Sequence, residues 1–263
     1  MNKLLRGVLK FNSAIRKNYL AEIDKVSQEI VKPMTVFITC MDCRLDPLRF
    51  LQTQAGEVFV VRNPGNMVPL FDPSKPDNAS AEGGGLELGC IMNGIGDVVV
   101  CGHSNCKAVN SLYSQRHVCH EAQDQEHTVD SPLKTWLSAH GLRTVQKFTK
   151  LFSEEEQLLS VEGKKILGGF KLNFGKEEFL CAVDPQNDFS IEDKLSQFHC
   201  LQQTSNVASY PILQPYIASG DVRVHAMWFD IFRAQMFMFS RTRGHFVAIE
   251  ESSVDELREE AKS

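Results

Sequence analysis

The sequence predicts an α/β protein with a mainly parallel central sheet flanked by helices, and three observations carry that expectation. Short β-rich runs, almost free of internal charge, alternate with helical patterns, as strands covered on both faces do. Three of these runs end in polar clusters, and in parallel sheets ligands bind beyond the carboxyl ends of the strands. The chain of 263 residues, 43% hydrophobic and 23% charged, is long enough to bury one large core.

Taken in order, residues 1–25 read as an amphipathic helical arm with Leu4, Leu5, Val8 and Leu9 on one stripe. Pro33 to Thr39 is a β-rich run that delivers Cys40-Met41-Asp42-Cys43-Arg44 from its end. Glu57 to Val61 likewise leads into Arg62-Asn63-Pro64-Gly65-Asn66, and Asp97 to Cys101 into Gly102-His103-Ser104-Asn105-Cys106. Between them, Ser80 to Asn93 carries Leu86, Leu88, Ile91 and Met92 at helical spacing despite Gly83-Gly84-Gly85. Residues 114–190 are expected to be a peripheral helical stretch, including His117, His120, Glu121 and the acidic Glu154-Glu155-Glu156. Val222 to Asp230 and Gln235 to Ser240 read as a closing hairpin. With no repeat, low-complexity tract or linker, residues 1–263 are read as a single domain.

Composition excludes some functions. A net charge of −5 with no basic run longer than a pair gives no footprint for nucleic acid. No stretch approaches the roughly 18 apolar residues of a membrane-spanning helix, so no membrane partner is expected. Eight scattered cysteines without an apolar secretory leader point to reduced thiols. The first 21 residues contain Lys3, Arg6, Lys10, Arg16 and Lys17 and no acid, as mitochondrial presequences do. The alternatives are a retained first helix packing on the domain or on a second subunit, and a cytoplasmic location.

The strand ends hold metal-binding chemistry. His103 and Cys106 can grip one ion from a single turn, and Cys40 can supply a third ligand, leaving the open position that a catalytic zinc site keeps. Cys43 offers a different outcome: as fourth ligand it would close a Cys₃His structural site. Cys40-x-x-Cys43 also fits a thioredoxin-like redox pair, and any of these cysteines can be plain packing residues. Asp42 and Arg44 favour the open site, because a carboxylate two residues from a ligand can accept a hydrogen bond from the nucleophile while a guanidinium fixes its orientation; without the neighbouring ligands the pair would read as a loop-stabilising salt bridge.

At these residues the sequence resembles the β-class carbonic anhydrases, whose usual motifs are C-x-D-S-R and H-x-x-C. Further similarity lies in Gly56 to Asn66, in Leu86-Glu87-Leu88-Gly89 and in Val224 to Asp230. The resemblance implies a β-carbonic-anhydrase-like fold with an extended N-terminal helix. It further implies zinc on Cys40, His103 and Cys106, one ion per chain, and a catalytic dyad of Asp42 and Arg44. Phe59 matches a residue lining the substrate pocket, the alternative being a plain core Phe on a strand. The implied reaction is reversible hydration of carbon dioxide to bicarbonate and a proton by zinc-bound hydroxide. A homodimer or dimer of dimers, with the N-terminal helix reaching across to the partner, is implied as well.

Departures from the family pattern mark where details will differ. Cys43 stands where the motif has Ser, Val31-Lys32-Pro33 where plant-like members carry a Gln, Leu88 in place of a pocket Tyr, and Lys107-Ala108 in place of Gly-Gly. The first 135 residues contain no Trp to help form the bicarbonate pocket of members whose dyad Asp closes onto zinc, so an open site is expected. Hydrolysis of carbonyl sulfide or carbon disulfide, and a non-catalytic zinc protein built on a closed Cys₃His site, are the rival functions.

Overall fold

The computed structural model describes residues 1–74, 79–116, 131–153, 158–161, 164–167, 169–174 and 177–262. His117, Cys119, His120, Glu121 and Glu154-Glu155-Glu156 lie outside the described residues.

The arm is α1 (Asn2–Lys10), a π-type turn (Phe11–Ile15) and α2 (Arg16–Ser27), with no buried residue in any of them. It is followed by β1 (Thr35–Cys40), α3 (Pro47–Leu51), β2 (Val58–Asn63) and α4 (Ala81–Leu86), which runs into a second π-type segment (Glu87–Met92). Next come β3 (Asp97–His103), α5 (Lys107–Ser114) and α6 (Pro132–Ser153). Two short hairpins, β4 (Leu158–Val161) with β5 (Lys164–Leu167) and β6 (Phe170–Phe174) with β7 (Glu177–Cys181), precede α7 (Ile191–Val207) and α8 (Gln214–Ser219). The chain ends with β8 (Arg223–Asp230), β9 (Gln235–Ser240), β10 (His245–Ala248) and α9 (Val254–Glu260).

The central sheet has six strands in the order β10-β9-β8-β3-β1-β2. Strands β2, β1, β3 and β8 are parallel, and β9 and β10 return antiparallel, so the expected closing hairpin gains a third strand. Period-two alternation divides β1 and β3 between two cores, as a sheet covered on both faces requires. Val36, Ile38, Cys40, Val98 and Val100 enter the larger core, while Phe37, Val99 and Cys101 enter a smaller one with Phe50, Met227 and Phe229 packed against it. The buried Thr39 hydroxyl is satisfied by the Cys101 carbonyl at 2.9 Å.

Two glycines of the expected 80–93 helix, Gly85 and Gly89, have a packing purpose. Ser80 caps the helix by accepting from the Gly83 N–H at 2.9 Å. A Cβ on Gly89 would lie 2.3 Å from Val36 Cγ2, so the absence of a side chain lets this segment settle onto β1.

One expectation is corrected. The 114–190 stretch is helical over α6, but Leu158–Val161 pairs antiparallel with Lys164–Leu167, and Phe170–Phe174 with Glu177–Cys181. In β6 the side chains alternate, with Phe170 and Leu172 buried and Lys171 and Asn173 exposed, which is strand periodicity that a helical face would not produce.

Candidate metal centre and active site

Parallel pairing brings the two ligand-bearing strand ends together. In the β1–β3 register Thr39 faces Cys101, so Cys40 and His103 both emerge at the carboxyl edge of the sheet. Asn105, with a left-handed φ of +52°, then turns the chain so that Cys106 caps α5. The ligand atoms of Cys40, His103 and Cys106 all lie within 4.8 Å of one another, all three residues are buried, and this is the one such cluster of three among the described residues.

The donor set fits a zinc ion. His103 Nδ1 lies 2.8 Å from the Ser104 carbonyl, which can only accept, so Nδ1 carries the proton and Nε2 presents its lone pair. That Nε2 is buried with no hydrogen-bond partner. The sulphurs of Cys40 and Cys106 are 3.9 Å apart. Two zinc–sulphur bonds of about 2.3 Å meeting at a tetrahedral angle span about 3.8 Å.

The sulphurs share a proton unequally. The Cys40 thiol is drawn below its usual range by the hydrogen bond from Cys106, against the cost of burial, with the Gly65 N–H helping. Cys106 is correspondingly pushed well up by the Cys40 sulphur and by burial. A bound cation would favour both as thiolates.

Beside the cluster, Arg44 grips Asp42 in a fork, Nε to Oδ1 at 2.9 Å and Nη2 to Oδ2 at 2.6 Å. These bonds hold the Asp42 carboxyl well below the usual carboxylate range and raise Arg44 in turn. The other side of the guanidinium bonds Asn105, through Oδ1 and the carbonyl, both at 2.9 Å. Asn105 is itself anchored, its N–H donating to Asp193 at the start of α7 over 2.6 Å. Arg62 reaches back from β2 to the carbonyls of Cys40 and Asp42, bracing the 40–45 turn.

Of the residues singled out from sequence, Cys40, His103 and Cys106 therefore converge, with Asp42 and Arg44 alongside. Cys43 is exposed and stands outside the cluster. Phe59 sits on β2 against Gly89, in register with Val36, four residues below the level of Cys40. Four strand residues span about 13 Å. Sequence reasoning passed over Asn105 and Asp193. Asn105 lay inside a motif already noted, and a single Asn between two ligands was the available signal; Asp193 had none, being 88 positions away from the amide it accepts.

Comparison with known proteins places these features in a family. Residues 35–166 match the family model described as carbonic anhydrase. The chain is 36% identical to Beta carbonic anhydrase 1 of Caenorhabditis elegans over 260 residues, covering 98% of this chain and 91% of that one. Among solved structures, the β-carbonic anhydrase CcaA superposes with a TM-score of 0.70 at 22% identity, over 95% of this chain and 92% of that one. A structure of two tetrameric β-carbonic anhydrases from Sordaria macrospora gives a TM-score of 0.59 at 17% identity, covering 90% and 98% of the respective chains. The structural likenesses bear on the fold, and the nearly full-length sequence identity bears on descent. On that identity and the family-model match the chain belongs to the β-carbonic anhydrase family.

Proposed function

We propose that this carbonic anhydrase hydrates carbon dioxide reversibly at a zinc ion held by Cys40, His103 and Cys106, with Asp42 and Arg44 as its catalytic dyad. When bound, zinc supplies a Lewis acid that makes water a nucleophile near neutral pH. The protein's own residues do the rest. Asp42, ionised and held by Arg44, accepts a hydrogen bond from the attacking oxygen and turns its lone pair toward the carbon of CO₂. Attack forms the new C–O bond, bicarbonate leaves, and the proton passes to buffer.

The observation that carries this reading is the bare His103 Nε2 facing two sulphurs 3.9 Å apart. Both Asp42 oxygens are engaged by Arg44, which supports the open arrangement. A closed Cys₃His site has less support, because Cys43 is exposed and outside the cluster.

The active form is a homodimer or a dimer of dimers. Leu4, Leu5, Val8 and Leu9 are 56–68% exposed on the arm, a stripe that a partner would cover. Strand β2 lies at the sheet edge, leaving its outer side available for pairing. Phe59, so far along β2 from the level of Cys40, lines a pocket only if the site it faces belongs to the partner. The chain works as a single domain, its main core drawing on residues from Val36 to Phe246. The compartment is the mitochondrion, on the acid-free basic character of residues 1–21, with the cytoplasm as alternative.

Metal analysis and stopped-flow CO₂ hydration on Cys106→Ser test the site. Loss of both zinc and hydration is expected, and retention of either at the wild-type level contradicts it.

A further inference from the structure

The Cys40 sulphur accepts a hydrogen bond from the Gly65 N–H at 3.4 Å. Gly65 has a φ of +83°, a conformation that L side chains rarely adopt, and this turn aims its amide at the sulphur. The same peptide unit carries the Pro64 carbonyl, which accepts from Trp136 Nε1 of α6 at 3.0 Å. The next carbonyl, that of Gly65, lies 2.9 Å from His199 Nε2 of α7. Two helices therefore hold consecutive carbonyls on either side of one amide.

His199 is an expensive residue for plain packing. It is fully buried, and burial keeps its pKa down to about 4, so the ring is neutral. A carbonyl partner demands the proton on Nε2, leaving the Nδ1 lone pair buried with no hydrogen-bond partner. An unmade bond of that kind is destabilising, whereas a Phe of similar size would carry no such penalty. The bond to Gly65 is what the imidazole gives in return.

We propose that Trp136 and His199 are positioning residues for Cys40. Trp136 polarises the Pro64–Gly65 peptide through its carbonyl and His199 fixes Gly65 through the next one, so that the Gly65 N–H draws charge from the sulphur and keeps a bound ion the stronger Lewis acid. Donation to an amide carbonyl strengthens the same amide as a donor, which gives Trp136 a direct electronic route to the ligand. The effect matters at this site because two thiolates already offset the charge of Zn²⁺. The proposal rests on Cys40 being a zinc ligand.

Full-length Trp136→Phe, His199→Phe and His199→Gln test it, by zinc competition against a chromophoric chelator and by the sulphur-to-cobalt charge-transfer band of the cobalt(II)-substituted protein. Both Phe variants are expected to move the band to lower energy, because the sulphur then keeps more charge, and to weaken zinc binding about tenfold, because the ligand is then held less firmly in place. His199→Gln, whose amide nitrogen reaches the place of Nε2, is expected to restore both. Wild-type band and affinity in Trp136→Phe overturn the proposal, whether or not His199→Phe folds. Cys40→Ser separates this from the underlying reading: wild-type zinc affinity in that variant shows that Cys40 is no ligand and overturns both.

Discussion

Arg44 holds Asp42 by both carboxylate oxygens, 2.9 Å from Oδ1 and 2.6 Å from Oδ2, while Asn105 takes the opposite edge of the guanidinium. The planar fork is what a lysine ammonium cannot reproduce. Arg44→Lys is therefore expected to lower kcat/KM about 100-fold, as misplacement of an orienting group does, with zinc retained. Asn105→Ala, which removes one of the two bonds from Asn105 to Arg44, should cost less, about tenfold. Stopped-flow hydration with metal analysis checks both, and an unchanged rate in Arg44→Lys would remove the dyad from the mechanism.

Cys43 separates a catalytic site from a closed one. Its thiol is exposed, and Cys40, His103 and Cys106 form the cluster without it. Cys43→Ser should keep one zinc per chain and most of the hydration rate. Zinc lost on that change would make Cys43 a ligand and the site structural.

Gly89 tests the fold independently of the metal. A methyl there would meet Val36 Cγ2 at 2.3 Å, with Ile95 and Phe59 closing the remaining space. Gly89→Ala should cost about 1–3 kcal/mol of stability through overpacking, despite the better helix propensity of Ala. Urea unfolding measures it, and a change below about 0.5 kcal/mol would show that the helix and sheet can part at little cost.

His199 makes stability depend on pH in a stated direction. Its pKa falls from 6.5 to about 4 in the folded state, chiefly through burial. Between those values the unfolded chain binds more protons, so the contribution is complete above pH 6.5 and is lost as pH falls toward 4. Between pH 7.5 and 5 the wild type should lose about 2 kcal/mol more than His199→Gln in urea unfolding. Parallel curves for the two proteins would mean that the imidazole titrates alike in both states.

Much of this was legible in the chain because the informative residues sit within a few positions of each other. The run from Pro33 to Thr39 became β1, and its polar end carried Cys40, Asp42 and Arg44 as a strand end should. Ser80 to Asn93 became the helical segment whose Gly85 and Gly89 meet the sheet. Strands β4 to β7 were missed because each is only four or five residues long and only β6 alternates apolar with polar residues. Trp136 and His199 were invisible for another reason. They reach the carbonyls of Pro64 and Gly65 across 72 and 134 positions, a relationship set by helix packing that no local pattern encodes.

Hydration of CO₂ that depends on a zinc ion at Cys40, His103 and Cys106 is most directly tested by stopped flow on one metal-analysed preparation, before chelation, after it and after zinc is returned. The expected result is one zinc per chain, hydration abolished with its removal and recovered with its return. Full hydration by the metal-free protein, or none by the zinc-loaded protein, would contradict it.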